Sequence, residues 1–299
     1  MIQWRPLVHL ATYIVWQTIF YGAAMAAFTY WGAASHSSLK VLGTEMGAFQ
    51  VPMVAIASAS FVVIWGLLFP ITREPLYEIF NPKRFRYRFL PSLLEGSWLA
   101  FGLAAAWVLV GLMTIVGVFV ELGGFWASLG QSLGSALLLA FWIYGEEFLF
   151  RHKFILPLRR TSAPWIGILW TAVIYTTIKS FQLDLDWQTG TSFFFASLWM
   201  GIEFERTRDF SRGAGLWAGF LIMLLPVLGM SFTSEEFHGV VLLKNTFKVN
   251  GLGPVSHGFD AWLTGGTTGP LASGSVMLLI LLQVIKSFIK NRSLLTNTH

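Results

Sequence analysis

Glu146-Glu147-Phe148-Leu149-Phe150-Arg151 ends a long apolar segment that starts at roughly residue 131. Ionisable side chains set into a membrane-length apolar segment are costly and by default functional. A helix turns about 100° per residue, so Glu146 and Glu147 face different ways, while Glu147 and Arg151 stack on one face four residues apart. Glu before Arg at that spacing is the favoured order for an ion pair. The stretch therefore predicts a Glu147–Arg151 clamp and leaves Glu146 without a partner on its own helix, which makes Glu146 the candidate catalytic group.

Working outward, 55% hydrophobic residues, 12% charged residues and a mean hydropathy of +0.63 leave more apolar surface than a water-soluble fold of 299 residues can bury. The composition predicts an integral membrane protein. The 27 Phe and 14 Trp serve helix packing and interfacial anchoring. With 0 Cys, disulfides, thiolate metal sites and a thiol nucleophile are excluded. The net charge of +5 reads as membrane topology. No basic recognition helix or phosphate loop accompanies it, so nucleic acid is not an expected partner.

Apolar runs of bilayer-spanning length fall at roughly 7–32, 47–71, 92–120, 131–150, 164–182, 191–205, 213–231 and 271–290. They predict an all-α polytopic bundle of about eight transmembrane helices. Of the 20 basic residues, 16 fall on one side of that arrangement, including Arg84, Arg86, Arg151, Arg206 and Lys290. Lys40, Lys244 and Lys248 fall on the other. The positive-inside rule then puts both termini in the cytoplasm, and a bacterial inner membrane is the expected setting. The first span reads as a retained anchor: Gly32-Ala33-Ala34-Ser35 resembles a cleavage site, but the apolar stretch before it is too long for a signal h-region. Residues 232–270, with Glu235, Glu236, His238 and His257, read as an outward loop. The expected division is a first unit of 1–90, holding two spans and a basic loop, and a second of 91–299.

Glu-Glu-x-x-x-Arg followed by Leu156-Pro157-Leu158-Arg159-Arg160 resembles the first motif of the CAAX protease and bacteriocin-processing (CPBP) family of intramembrane endopeptidases. Gly201-Ile202-Glu203-Phe204-Glu205-Arg206-Thr207 before Gly215-Leu216-Trp217 is similar to that family's sixth and seventh helices, and Trp262-Leu263-Thr264-Gly265-Gly266 to a loop of bacterial members. The resemblance covers about residues 90–290. It implies the CPBP fold, with Glu146 as general base supported by Glu147 and Arg151. It also implies a membrane-embedded or lipidated peptide or protein as substrate or partner.

The family's second motif, Phe-x-x-x-His, aligns with Tyr175-Thr176-Thr177-Ile178-Lys179. Its third, His-x-x-x-Asn, falls on Met223 and Val227. Peptide hydrolysis needs a base, oxyanion donors and a proton for the leaving amine. The resemblance assigns oxyanion binding to the third-motif His and Asn, and neither Met223 nor Val227 can donate. Losing one such donor costs about 10²–10³ in rate. Lys179 near Glu146 would favour the ionised carboxylate and lower its basicity, so a buried Glu146–Lys179 pair is expected; the opposite role, a desolvated neutral lysine acting as base, is the alternative. His152 follows Arg151 directly and so points away from the site. No metal or cofactor is expected, because the membrane core offers carboxylates without His or Cys.

Glu203 and Glu205 are expected to pair with Arg206 or Arg208, and Glu95 and Glu121 to mark span ends. Three functions remain open: a glutamate-dependent endopeptidase, a non-catalytic relative that binds a membrane peptide or protein, and a transporter lined by Glu146, Lys179 and Glu203. Paired broken helices and half-to-half symmetry, which would support the transporter, are lacking. Glu146→Gln is expected to leave the fold intact, while Glu147→Ala or Arg151→Ala is expected to destabilise it by stranding a buried charge.

Overall fold

The computed structural model describes residues 8, 10–20, 23, 60, 81–118, 125–155, 164–183, 185–230, 240–245, 259–265 and 269–291. The expected second span at 47–71 lies outside these residues save for Ser60, as do Glu121, Leu156–Arg160 and every His except His152.

Among the described residues, eight helices run in chain order: α1 (Leu10–Phe20), α2 (Pro82–Leu109), α3 (Phe125–Glu147), α4 (Pro164–Leu183), α5 (Trp187–Thr207), α6 (Phe210–Ile222), α7 (Phe259–Thr264) and α8 (Gly274–Lys290). Among the described residues, three stretches are long and apolar enough to cross a membrane: Pro82–Leu109, Ser132–His152 and Phe210–Val227. Such helices are compatible with an integral membrane protein. Helices α4, α5 and α8 stand where spans were expected but do not meet that measure. Their inward faces carry Thr171, Lys179, Thr189, Ser192, Ser197 and Ser287, all buried, so their polar content faces protein. The molecule is correspondingly apolar outside, with Trp98, Leu109, Trp126, Phe181 and Ile289 exposed. Polar side chains buried within an apolar core, beneath exposed apolar ones, fit a lipid solvent, which offers polar groups no partners.

Local chemistry sets the helix ends. Asn81 accepts from Lys83 N with Pro82 at the first position of α2, Asp186 accepts from Thr189 N at α5, Asp209 from Ser211 N at α6, and Ser273 from Val276 N at α8. Each satisfies an orphan amide at a helix start. Helices α5 and α6 are joined through Arg208, in the left-handed region at φ 55°, so the chain turns within two residues.

The fold is not wholly helical, and the third expected span, 92–120, is cut short. Gly111 has φ 77°, and at the end of α2 Gly111 N donates to Val108 O (3.0 Å) and Leu112 N to Trp107 O (2.9 Å). This is a Schellman ending, which needs a residue that tolerates a left-handed conformation. The β-branched run Thr114-Ile115-Val116 then forms β1 (Met113–Val118), antiparallel to β2 (Val241–Asn245), with Met113 opposite Asn245 and an irregularity between Ile115 and Gly117. Part of the expected outward loop is therefore this ribbon, and another part is α7. The basic residues 83–88, expected in a loop, form the first turns of α2.

Helices α2 and α6 meet backbone to backbone. A Cβ on Gly96 would strike Leu216 O, one on Gly215 would strike Phe89 O and one on Gly219 would strike Leu93 O. Ser97 Oγ donates to Gly219 O at 3.1 Å. Small residues four apart allow this approach, which in lipid replaces hydrophobic burial as the source of helix association. Two π-helical stretches continue the long helices: Phe148–Ile155 beyond α3 and Met223–Val227 beyond α6. The second contains Pro226, which lacks the amide that α-helical bonding would use.

Candidate functional site

Glu146, the penultimate residue of α3, has 1% of its surface exposed. Tyr13 of α1 donates its hydroxyl to Glu146 Oε1 (2.6 Å), and Tyr175 of α4 donates to Oε2 (3.3 Å). Lys179 Nζ, at 0% exposure, pairs with Oε1. Tyr175 and Lys179 reach the same carboxylate because they lie four apart on the inward face of α4. Lys179 also donates to Gln182 Oε1 (2.8 Å) and sits 4.8 Å from the centre of the Trp142 ring. Trp142 is four residues before Glu146 on α3, so that ring and the carboxylate hold the ammonium from two levels of one helix face.

Glu147 turns the other way, as its position in the helix requires. Arg151 Nε lies 3.1 Å from Glu147 Oε2 and 3.3 Å from Oε1, and Arg151 Nη2 donates to Ser197 Oγ on α5 at 2.8 Å. Both charges are buried. Gly213 of α6 completes the enclosure: a Cβ there would lie 3.3 Å from Glu147 Oε2 and from Met200 Cβ. Arg151 Nη1 is buried and has no hydrogen-bond partner among the described residues, and the same holds for Trp142 Nε1 and Trp217 Nε1.

The sequence-selected residues thus divide into two adjoining centres. Glu146, Tyr175 and Lys179 form one between α1, α3 and α4, while Glu147 and Arg151 form the other between α3, α5 and α6. Met223 and Val227 lie on the π-helical end of α6, packed against the apolar core and without a donor to offer. His152 stacks on Phe148 (ring centroids 5.5 Å) and lies 6.4 Å from Phe210, away from Glu146.

Sequence reasoning missed Tyr13, Gln182, Trp142 and Ser197. Tyr13 had a legible signal, since Tyr13 and Gln17 are four apart in a helix whose only other polar side chains are the hydroxyls of Thr12 and Thr18. The partnership itself joins residues 133 apart in the chain, and no local pattern announces that. It also joins the two units that the sequence divides at residue 90.

A third charged cluster ties four helices together. Glu203 accepts from Arg206 (Nη2 2.5 Å) and from Arg212 Nε (3.0 Å), and Ser287 Oγ of α8 donates to its other oxygen (3.2 Å). Arg212 Nη2 reaches Glu95 of α2 at 3.1 Å, and Glu205 pairs with Arg208 at 2.8 Å. Glu203 therefore serves as a joint between helices. Among the described residues, no group of three or more His, Asp and Glu side chains gathers as metal ligands would.

Chemically, the first centre holds a carboxylate with one cation and two hydroxyl donors, and the second holds a carboxylate fixed on a guanidinium that keeps one donor in reserve. No protein-family model matches the chain, and no curated protein and no solved structure is similar to it.

Proposed function

We propose that this protein resembles the CAAX protease and bacteriocin-processing enzymes in form and binds a membrane-embedded or lipidated peptide segment without cutting it. In this reading the chain crosses a bacterial inner membrane about eight times, with both termini in the cytoplasm, and carries the CPBP bundle. The basic residues gathered at the ends of alternate expected spans support that topology.

The observation that carries the functional reading is the buried Glu146–Lys179 pair. A general base must take a proton from water. Glu146 is instead held by an ammonium and two phenols, and its own exposure is 1%. Those partners engage both oxygens of the carboxylate with which a base would take that proton. At the positions aligned with the family's oxyanion donors stand Met223 and Val227, which have no hydrogen to give. A carboxylate already engaged on both oxygens and an oxyanion left without donors oppose hydrolysis at two separate steps. Polar groups enclosed by an apolar bundle still suit recognition of a helix or extended segment within the bilayer.

Retained hydrolysis draws on one observation, the unpartnered Arg151 Nη1, a buried donor close to Glu147. As an oxyanion contact it would act in place of the absent His and Asn.

Both readings are compared by profiling new protein termini in membranes that contain wild type or the Lys179→His, Met223→His, Val227→Asn variant. The binding reading predicts that wild type generates no termini of its own and that the triple variant gains some. Termini made by wild type and absent without it overturn the reading.

A further inference from the structure

Helix α1 meets the rest of the protein along a narrow stripe. Tyr13 and Gln17 are buried, and Leu10, Trp16 and Phe20 are half-buried, at the spacing of one helical face. The other face is open and mostly aliphatic, with Val8, Ile14, Val15 and Ile19 each 42–61% exposed and the hydroxyls of Thr12 and Thr18 turned back onto the helix's own carbonyls. Polar residues inward and aliphatic residues outward suit a helix between lipid and a polar site. Its inward anchors are specific. The Tyr13 hydroxyl reaches Glu146 Oε1, its ring meets the edge of Phe150 (6.0 Å, 81°), and Trp16 Nε1 donates to Ser60 Oγ at 3.2 Å.

Two further partners of Glu146, Tyr175 and Lys179, stand on α4. Lifting α1 away would remove the 2.6 Å phenol bond and open the carboxylate to hydrocarbon on that side. A buried charged acceptor that loses a donor is expensive, and lipid tails offer no replacement. The best available substitute is another membrane helix with a hydroxyl at the same depth. Contacts of this kind, a thin polar stripe between helices, are modest in strength and can exchange.

We infer that α1 is a built-in competitor: it fills the groove over Glu146 into which a partner's transmembrane helix docks. The matching partner presents a hydroxyl, best a phenol, with an amide four residues further on, as Tyr13 and Gln17 do. This rests on the proposed role as a binder of membrane segments and names the helix that such a binder selects. Tethering places α1 at an effective concentration on the order of millimolar. A poorly matched or sparse helix therefore loses to α1, and a well-matched one displaces it, which makes α1 a filter on partner choice.

The chain has 0 Cys, so one introduced thiol is its sole thiol. The test follows N-ethylmaleimide labelling in detergent micelles of Gln17→Cys, on the buried stripe, and Thr12→Cys, on the open face. Labelling of Gln17→Cys is expected to be slow beside Thr12→Cys. Adding Tyr13→Phe, which removes only the hydroxyl, should accelerate it about tenfold, as losing one charge-assisted hydrogen bond implies. A synthetic peptide copying residues 7–32 should accelerate it too, and the same peptide carrying Tyr13→Phe and Gln17→Leu should not. Leu10→Cys, which keeps both polar anchors, repeats the series in case Gln17→Cys itself loosens the helix. Equal labelling of stripe and open face, no effect of Tyr13→Phe, or equal effects of the two peptides overturns the inference. Glu146-dependent hydrolysis would overturn the binding role and leave these labelling results standing, so the two failures are distinguishable.

Discussion

Glu146 and Lys179 should behave as one unit in stability. Lys179 is 0% exposed and Glu146 1%, so solvent cannot replace a lost partner. Stripping one member from a buried pair costs about 3–5 kcal/mol, because a charge is left behind. The surroundings place both single variants at the lower end. Lys179→Met leaves Glu146 with the Tyr13 and Tyr175 hydroxyls. Glu146→Gln leaves Lys179 with Gln182 Oε1 and the Trp142 ring. Each should cost about 3 kcal/mol.

The buried pair revises the expectation that Glu146→Gln leaves the fold intact, and a loss of about 3 kcal/mol is predicted in its place. The double variant Glu146→Gln with Lys179→Met strands no charge. It should lose about 3 kcal/mol or less, where independent effects would sum to about 6 kcal/mol, a coupling of about 3 kcal/mol. Unfolding in mixed micelles, as the denaturing detergent fraction rises, measures all four corners of this cycle. A double variant that loses the full sum would refute the pairing argument, as would a Lys179→Met variant as stable as wild type.

Other sites carry sharp expectations. Glu147→Ala and Arg151→Ala should each cost about 3–5 kcal/mol in the same assay, whereas Ser197→Ala, which removes one neutral partner of Arg151, should cost about 1 kcal/mol; equal losses from all three would show that the ion pair has no special weight. Gly219→Ala forces α2 and α6 apart at Leu93 O and should cost about 1–3 kcal/mol, the usual range for overpacking, seen as a lower unfolding midpoint. Gly111→Ala meets open space, so its expected loss of about 1 kcal/mol comes from left-handed backbone alone; Gly111→Asn, which tolerates that conformation, should lose less.

Sequence and structure agree where a rule is local. Glu147 and Arg151 are four apart on a helix, and the bond between them needs nothing beyond that geometry. Asp186, Asp209 and Ser273 cap their helices through contacts just as local, although reading the chain by apolar spans does not single them out. Lys179 opposite Glu146 was legible because a charge inside an apolar segment must find a counter-charge, and few stand inside the expected spans. The ribbon was not legible: Thr114-Ile115-Val116 is apolar enough to continue a span, and only the Schellman ending at Gly111 and the distant partner Val241–Asn245 turn it into a strand. Tyr13 escaped because a tyrosine in a membrane segment is ordinarily an interfacial anchor, and its partner comes from the tertiary fold. Met223 and Val227 could be named as departures from a motif, but sequence alone does not tell what an apolar side chain there packs against.

The central claim, that Glu146 is held in an ion pair and does not cut, is tested most directly by oxygen exchange. Purified wild type and Glu146→Gln would be reconstituted with membrane peptides in heavy-oxygen water, and the heavy oxygen entering newly formed peptide carboxyl ends measured by mass spectrometry. Each peptide bond hydrolysed traps one oxygen atom from water. The account predicts no incorporation above the Glu146→Gln background. Incorporation by wild type that vanishes in Glu146→Gln would contradict it, and would make Glu146 a working base despite Lys179.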